Sequence, residues 1–383
     1  MKSVAFFIYG IQNLKGGGGA ERFFADFFDK YSSYNLAQFK VYFVLDKYSL
    51  NALSEINKLK TVKNYLIFKV FSNRFKVSLE FLQLFYYILL KQIKIIHLPL
   101  YNISYLPLLK KINKIPKIFR PKIVINISNC YVVPGLKNNL SSEINTYYPL
   151  FKGINVDGYF SWYQNFTDYV GENIGLFKFK PQVYSITSRF SGNDLIFNNS
   201  KKENQIIFAS RLDKQKCPDW FIEAIRIIKE KHPTVLLNWK FIVCGDGPMR
   251  NQLIETSNKL GLNQFVEFRI EGNLEKVFNY SKIYVSCQEF ENFPSLSMAE
   301  AMSAGNAIVA RNVGQTNLFL NNNVNGLFIN PDSAYGLADR LIYLMSNEAL
   351  LEKMGQKSVE LMNTVHTFEN FVPQIENFWK KIN

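Results

Sequence analysis

The sequence has few of the residues that build covalent or metal-held frameworks. Of 383 residues only four are cysteine, at positions 130, 217, 244 and 287, with no C-x2-C spacing, and only three are histidine, widely scattered. Disulfide scaffolds and zinc sites are therefore not expected, and a reducing, cytoplasmic setting is. No D-x-D occurs anywhere, so no metal is expected. Glu289-Phe-Glu291 imitates such a pair, but two acids alone rarely establish a metal site. No apolar run reaches the roughly 18 residues that span a bilayer, and the nearest, Phe81 to Leu90, reads as a core helix. At the amino terminus, the apolar run Val4 to Ile11 flows into glycines and not into a small-residue cleavage site, so it reads as a strand and not as a leader.

Acidic residues are also missing from one long stretch. No Asp or Glu lies between Glu80 and Glu143, while Lys91, Lys94, Lys110, Lys111, Lys114, Lys117, Arg120, Lys122 and Lys137 do. The net charge of +14 is correspondingly uneven: residues 1–190 hold 25 basic and 10 acidic side chains, and residues 191–383 hold 20 and 21. A helix over Ser104 to Ile115 would put Leu108, Leu109, Ile112 and Ile115 on one face and Lys110, Lys111 and Lys114 on the other. Such a face suits an anionic membrane surface, with the chain peripheral on its cytoplasmic side; a plain solvated basic face stays open beside it. Nucleic acid is not expected as a partner, because no recognisable nucleic-acid module accompanies the charge.

What the chain does contain is a repeated alternation of apolar strands and helices. In residues 1–182, Val4 to Ile11, Phe39 to Leu45, Tyr65 to Val70, Ile93 to Leu98 and Ile123 to Ile127 read as strands. In residues 183–365, Ile206 to Ser210, Leu237 to Cys244, Phe265 to Ile270, Ile283 to Ser286, Ala307 to Ala310 and Gly326 to Ile329 repeat the theme. An α/β chain with two Rossmann-like domains, each a parallel sheet covered on both faces and turned toward a shared cleft, is the architecture this order implies. Residues 366–383 carry Phe368, Phe371, Ile375 and Phe378 at helical spacing.

Four segments carry candidate chemistry. Tyr284 to Gly314 reads as strand, acidic loop, helix and strand; its loop carries Glu289 and Glu291, and its helix carries Glu300. Loops at the carboxyl ends of parallel strands are where ligands bind, and ionised carboxylates there accept strong hydrogen bonds from hydroxyls. Arg211 and Lys216 follow the strand Ile206 to Ser210, and two cations so placed can neutralise charge on an anionic ligand. Gly245-Asp246-Gly247-Pro248 is a strand-to-helix turn. Gly16 to Gly19 lead into Ala20-Glu21-Arg22, where backbone N–H groups at a helix start attract anions; Glu21 occupies the third glycine position of a dinucleotide fingerprint, which therefore fails.

Together these segments resemble the family 4 retaining glycosyltransferases of the GT-B fold, the glycosyl transferases group 1. Glu291-Asn-Phe-Pro-Ser and Ala299-Glu300-Ala301-Met302 are similar to that family's E-x7-E signature, with eight residues here in place of seven between the acids. Arg211-Leu-Asp-Lys-Gln-Lys216 resembles its R-L-x3-K-G element, with Cys217 at the glycine, and the other two segments resemble its G-D-G-P turn and G-G-A-E-R loop. The resemblance implies sugar transfer from a nucleoside diphosphate sugar to a glycan or lipid-linked acceptor hydroxyl in surface polysaccharide synthesis. It further implies that Arg211 and Lys216 stabilise the diphosphate, that Glu300 binds the ribose and that Glu291 orients the hexose. Gly18, Gly19, Gly245, Pro294, Ser295 and Leu296 would line the donor, and no metal or other cofactor is implied. The final helix would return to the amino-terminal domain. His97 stands where the family often has histidine, so it either touches acceptor or sugar or is held by backbone at the core edge; no histidine occurs in Ser128-Asn129-Cys130. No dedicated base is needed if the leaving diphosphate accepts the proton. The alternatives are a non-transferring enzyme such as a sugar-nucleotide epimerase, which would want clustered histidines, and a non-catalytic, membrane-associated sugar-nucleotide binder.

Overall fold

Apolar strands that alternate with helices must be covered on both faces, and this chain builds two such sheets. The computed structural model describes residues 1–8, 19–55, 64–71, 75–100, 103–127, 153–177, 179–190, 202–272 and 274–382. Met1–Thr187 with Phe368–Asn383 make one compact unit, and Ser188–Thr367 make the other.

The first sheet contains β1 (Lys2–Ile8), β2 (Phe39–Asp46), β3 (Tyr65–Phe68), β4 (Ile93–Leu98), β5 (Lys122–Ile127), β6 (Gly158–Ser161) and β7 (Gln182–Ser185). Their order is β3-β2-β1-β4-β5-β6-β7, with every neighbouring pair parallel. Two strands, β6 and β7, therefore join the five expected from the sequence, and the expected boundary at residue 182 falls on the first residue of β7. The interior of this unit is aromatic. Helix Gly19–Ser32 turns Phe23, Phe24, Phe27, Phe28 and Tyr31 inward, the spacing of one helical face. Helix Phe368–Ile382 closes the same core with Phe371, Ile375, Phe378 and Trp379. Its Glu376 carboxylate accepts hydrogen bonds from the Tyr31 hydroxyl at 2.7 Å and from the Gln38 N–H at 2.9 Å, so the last helix is part of the first unit.

Two helices of this unit exchange the roles their sequences suggest. The stretch expected to be helical from Ser104 is a 3-10 turn, Ile103–Tyr105, followed by helix Leu106–Ile112. Leu108, Leu109, Ile112 and Ile115 are all buried, so the apolar face expected for a membrane is turned into the core instead, while Lys110 and Lys114 are exposed. Helix Lys76–Lys91, whose run from Phe81 reads as core, buries Glu80, Leu84 and Ile88 but exposes Leu82, Tyr86, Leu89 and Leu90.

The second sheet contains β8 (Glu203–Ala209), β9 (Lys240–Cys244), β10 (Val266–Arg269), β11 (Ser281–Ser286), β12 (Ala307–Ala310) and β13 (Gly326–Phe328), ordered β10-β9-β8-β11-β12-β13 and parallel throughout. β9 starts later than expected, because Pro233–Leu236 is helical and the Trp239 N–H still bonds to the Leu236 carbonyl at 3.0 Å. The core here is mainly aliphatic: Ile206, Ile222, Ile225, Ile228, Val243, Ile283, Val285, Val309 and Leu341 are buried together, with Phe208, Phe221, Trp239, Phe241 and Phe265 among them. Strand order reverses between β8 and β11, so the connections leaving their carboxyl ends diverge and leave a crevice in which ligands bind.

Candidate functional site

The loops that follow β8 and β11 lie side by side at this reversal point. The Glu289 N–H donates to the Gln215 carbonyl at 2.9 Å, which ties the two loops together. Asp213 shapes the first of them: its side chain accepts from the Gln215 and Lys216 N–H groups at 3.1 and 3.3 Å, closing a turn over Lys214–Lys216. Cys217 leaves that turn in the left-handed conformation, φ 45°, which is the physical reason glycine suits the position. The turn aims Lys216 across the sheet, where its ammonium donates to the Gln288 side-chain oxygen. The other end of the same amide donates to the Glu291 carbonyl. A cation from one loop and an acidic segment from the other are thus joined through one buried glutamine.

Glu291 is held by its own surroundings. Its Oε1 accepts the Phe293 N–H at 2.9 Å and the Gln315 N–H at 2.8 Å. Burial pushes its carboxyl up to about 7, with those N–H groups opposing the shift. Gly314, at φ 52°, makes this approach feasible, since a Cβ there would stand 2.3 Å from Glu291 Oε2. Asn292 stitches the loop to the end of β12: its Oδ1 accepts from the Ser286 hydroxyl at 2.6 Å, and its Nδ2 donates to the Arg311 carbonyl at 3.1 Å and to Thr316 Oγ1 at 2.8 Å. Arg311 itself is committed to Asp332, at 2.7 and 2.5 Å, and lies 4.5 Å from the Trp220 ring centre.

The remaining residues singled out from the sequence fall in different places. Arg211 leaves the same loop as Lys216 but points outward, with 74% of its side chain exposed and Asp213 at 3.5 Å. Glu300 sits inside helix Leu296–Ser303 at 3% exposure, among the buried Met298, Ala299, Ala301 and Met302. Of the backbone donors expected around Pro294, Ser295 and Leu296, proline has no N–H and the Ser295 N–H is taken by the Asn292 carbonyl at 2.7 Å. Leu296 is left as the donor of that trio, while Ser295 Oγ caps the helix by accepting the Met298 N–H at 3.3 Å. Gly245 has a supporting place: at φ 144°, a Cβ there would stand 2.0 Å from the Ser210 carbonyl oxygen, so this glycine lets the turn after β9 seat the start of the Arg211 loop.

His97 does not meet the expectation of a ligand contact. It lies in the middle of the first sheet, opposite Phe6, with no exposed surface. Its Nδ1 accepts the Trp379 indole N–H at 3.0 Å, rings of Phe6, Phe160 and Trp379 surround it, and burial depresses its pKa to about 3. It is a neutral core residue. Gly18 lies outside the described residues, and Gly19 begins helix Gly19–Ser32. Gln288 was not apparent from sequence; it matters through a contact across loops, which spacing along the chain does not encode.

Residues 194–360 match the family described as glycosyl transferases group 1. The match falls within the second unit. Among relatives, the chain is 28% identical over 184 residues to an uncharacterized glycosyltransferase of Methanocaldococcus jannaschii, covering 46% of this chain and 45% of that one. It is 26% identical over 157 residues to a Campylobacter jejuni α-1,4-N-acetyl-D-galactosaminyltransferase named for a PP-undecaprenol-linked glycan, covering 41% and 43%. The match thus spans less than half the length of these relatives. Among solved structures, Anabaena HepE in complex with UDP-glucose superposes with a TM-score of 0.72 at 15% identity over the whole of both chains. The fold is accordingly of the GT-B class, two Rossmann-like units with parallel sheets, and the unit that carries the match is the one that holds Lys216, Gln288 and Glu291.

Proposed function

We propose that this chain is a retaining glycosyltransferase that moves a hexose from a nucleoside diphosphate sugar to an acceptor hydroxyl on a glycan or lipid-linked glycan of surface polysaccharide assembly, on the cytoplasmic side of the membrane. The observation that carries the reading is the Lys216–Gln288–Glu291 link at the point where strand order reverses. As the bond from the anomeric carbon to the diphosphate breaks, negative charge collects on the phosphate oxygens, and Lys216 is held in position to meet it. Arg211, exposed on the same loop, can fold onto the outer phosphate, and the Leu296 N–H adds a neutral donor at a helix start. These two cations supply the electrostatic role a metal would otherwise play, so the proposal includes none.

Glu300 takes the ribose hydroxyls and Glu291 the hexose. With its carboxyl near 7, Glu291 exchanges between accepting and donating forms around neutrality, which suits a group that must bond a sugar hydroxyl without competing for the diphosphate's cations. The acceptor proton passes to a departing phosphate oxygen while the acceptor oxygen bonds to the anomeric carbon from the same face. Retention follows, and no histidine is required. The Campylobacter relative's PP-undecaprenol name and the UDP-glucose bound by HepE support the acceptor and donor classes.

Nucleotide release from a panel of UDP-, GDP-, ADP- and CMP-sugars, with and without hydroxyl acceptors, tests the reading. One donor is expected to turn over with its anomeric configuration kept, and Glu300→Ala is expected to abolish turnover without lowering the unfolding midpoint. Saturable binding of a donor with no turnover under any condition would make the chain a binder, and an inverted product would rule out retention.

A further inference from the structure

The outward face of helix Lys76–Lys91 runs against the usual pattern of a surface helix. A helix that packs on a sheet normally turns its polar side to water. Here the inward line is Glu80, Leu84 and Ile88, spaced by four, and the outward line is Leu82, Tyr86, Leu89 and Leu90, at positions i, i+4, i+7 and i+8. These four side chains are 59, 58, 53 and 53% exposed. The strip continues onto the edge strand β3, where Tyr65 and Ile67 are 45 and 49% exposed. Gln83 and Tyr87 hold the two elements together, donating to the Ile67 carbonyl at 2.9 and 2.6 Å.

Along this helix and the helix beside it, the exposed charge has one sign. Glu80, the helix's single acid, is 4% exposed, with the Phe71 N–H donating to it at 3.3 Å, so it is withdrawn from the surface. The next acid in the chain is Glu143. Lys76 and Lys91 stand at the two ends of the helix, and Lys94 is exposed just beyond it. The neighbouring helix Leu106–Ile112 is docked alongside through the Lys111 ammonium, which donates to Ser78 Oγ at 2.9 Å, and Lys110 and Lys114 of that segment are exposed.

We infer that this face lies flat on an anionic lipid bilayer, with Leu82, Tyr86, Leu89 and Leu90 entering the headgroup–acyl boundary and the flanking lysines meeting lipid phosphates. A strip of leucine and tyrosine bordered by lysine is the pattern of an interfacial helix, in which apolar burial and attraction to anionic headgroups add. Among the described residues no helix is long and apolar enough to cross a membrane, so the contact is with the surface. A second copy of the chain would bring lysines against lysines, which opposes pairing through this face. A nucleic acid would use the lysines and leave the leucines in water. The inference stands apart from the transferase reading, since it uses neither Lys216 nor the acids.

Flotation of the full chain with phosphatidylcholine vesicles, with and without phosphatidylglycerol, tests it. Binding is expected to be at least about tenfold stronger on the anionic vesicles and to weaken with salt. Leu82→Glu combined with Leu89→Glu is expected to lower binding about tenfold while the unfolding midpoint holds, because both side chains are exposed. Lys94→Glu with Lys114→Glu is expected to remove the preference for phosphatidylglycerol. The inference is overturned if the parent chain does not float on anionic vesicles, or if the leucine pair leaves flotation unchanged. It is equally overturned if size-exclusion chromatography shows a dimer that the leucine pair converts to monomer.

Discussion

The two units share a doubly wound parallel plan but are packed with different materials. In the first, Phe6 alone has ring neighbours in Phe24, Phe27, Phe28, Phe43, His97 and Trp379, and part of this interlock arrives from the far end of the chain. In the second, branched aliphatic side chains make up most of the core, and the loops above it are pinned by backbone contacts and by Gly245 and Gly314. The contrast assigns each unit a different kind of fixed point. The first depends on a remote helix to be complete, whereas the second depends on loops fixed by hydrogen bonds between them and by close-approach glycines.

The sharpest way to break this comparison is to end the chain at Thr367. That removes the buried Phe368, Phe371, Val372, Ile375, Phe378, Trp379 and Ile382, each contributing about 1.5–3 kcal/mol of burial, a sum comparable with the whole stability of a domain. The first unit is expected to lose its near-ultraviolet circular dichroism, and hydrogen exchange is expected to leave protection in β8 and β11. Full protection in β1 and β4 after truncation would refute the dependence.

Lys216→Ala comes next. Losing one preorganised cation is expected to lower turnover about 10²–10³-fold with little change in unfolding midpoint, and Gln288→Leu, which leaves the ammonium in place but unsupported, about tenfold. His97→Phe sharpens the contrast from the other unit. It leaves the Trp379 indole N–H buried without its acceptor, so a loss of about 1–3 kcal/mol in stability is expected in urea unfolding, with turnover per folded molecule kept. A large fall in turnover at unchanged stability would return His97 to the site.

Glu291→Gln changes a single titrating carboxyl, and the sign of its effect on stability can be worked out. Burial raises this carboxyl from 4.5 to about 7, so the native state still holds a proton that the unfolded chain has given up. Stability contributed by the protonated form is present below about 4.5 and is lost as pH rises toward 7. Glutamine does not titrate, so the variant's stability relative to the parent is expected to rise between pH 5 and 8. A difference that stays constant across that range would mean the carboxyl is not shifted.

Much of this was legible from the sequence, and the exceptions have physical causes. All six strands of the second sheet appear as apolar runs, and Arg211, Lys216, Glu291 and Glu300 stand out because loops at strand ends carry motifs in fixed order. In the first sheet, β6 and β7 are four residues long, with sequences GYFS and QVYS, too short to show a period. His97 was ambiguous because a strand-end histidine can face a ligand or the core, and only the arrival of Trp379 from the last helix decides it. Helix Lys76–Lys91 was read as buried because it is apolar nearly all round, and composition does not say which side meets the sheet.

The most direct measurement is calorimetric titration of UDP, GDP and ADP into the parent chain and into Lys216→Ala. If the loops after β8 and β11 hold the donor, one nucleoside diphosphate binds with one-to-one stoichiometry and Lys216→Ala weakens it at least about tenfold, or about 1.4 kcal/mol. Absence of binding by all three, or equal affinity in the two proteins, would contradict the account.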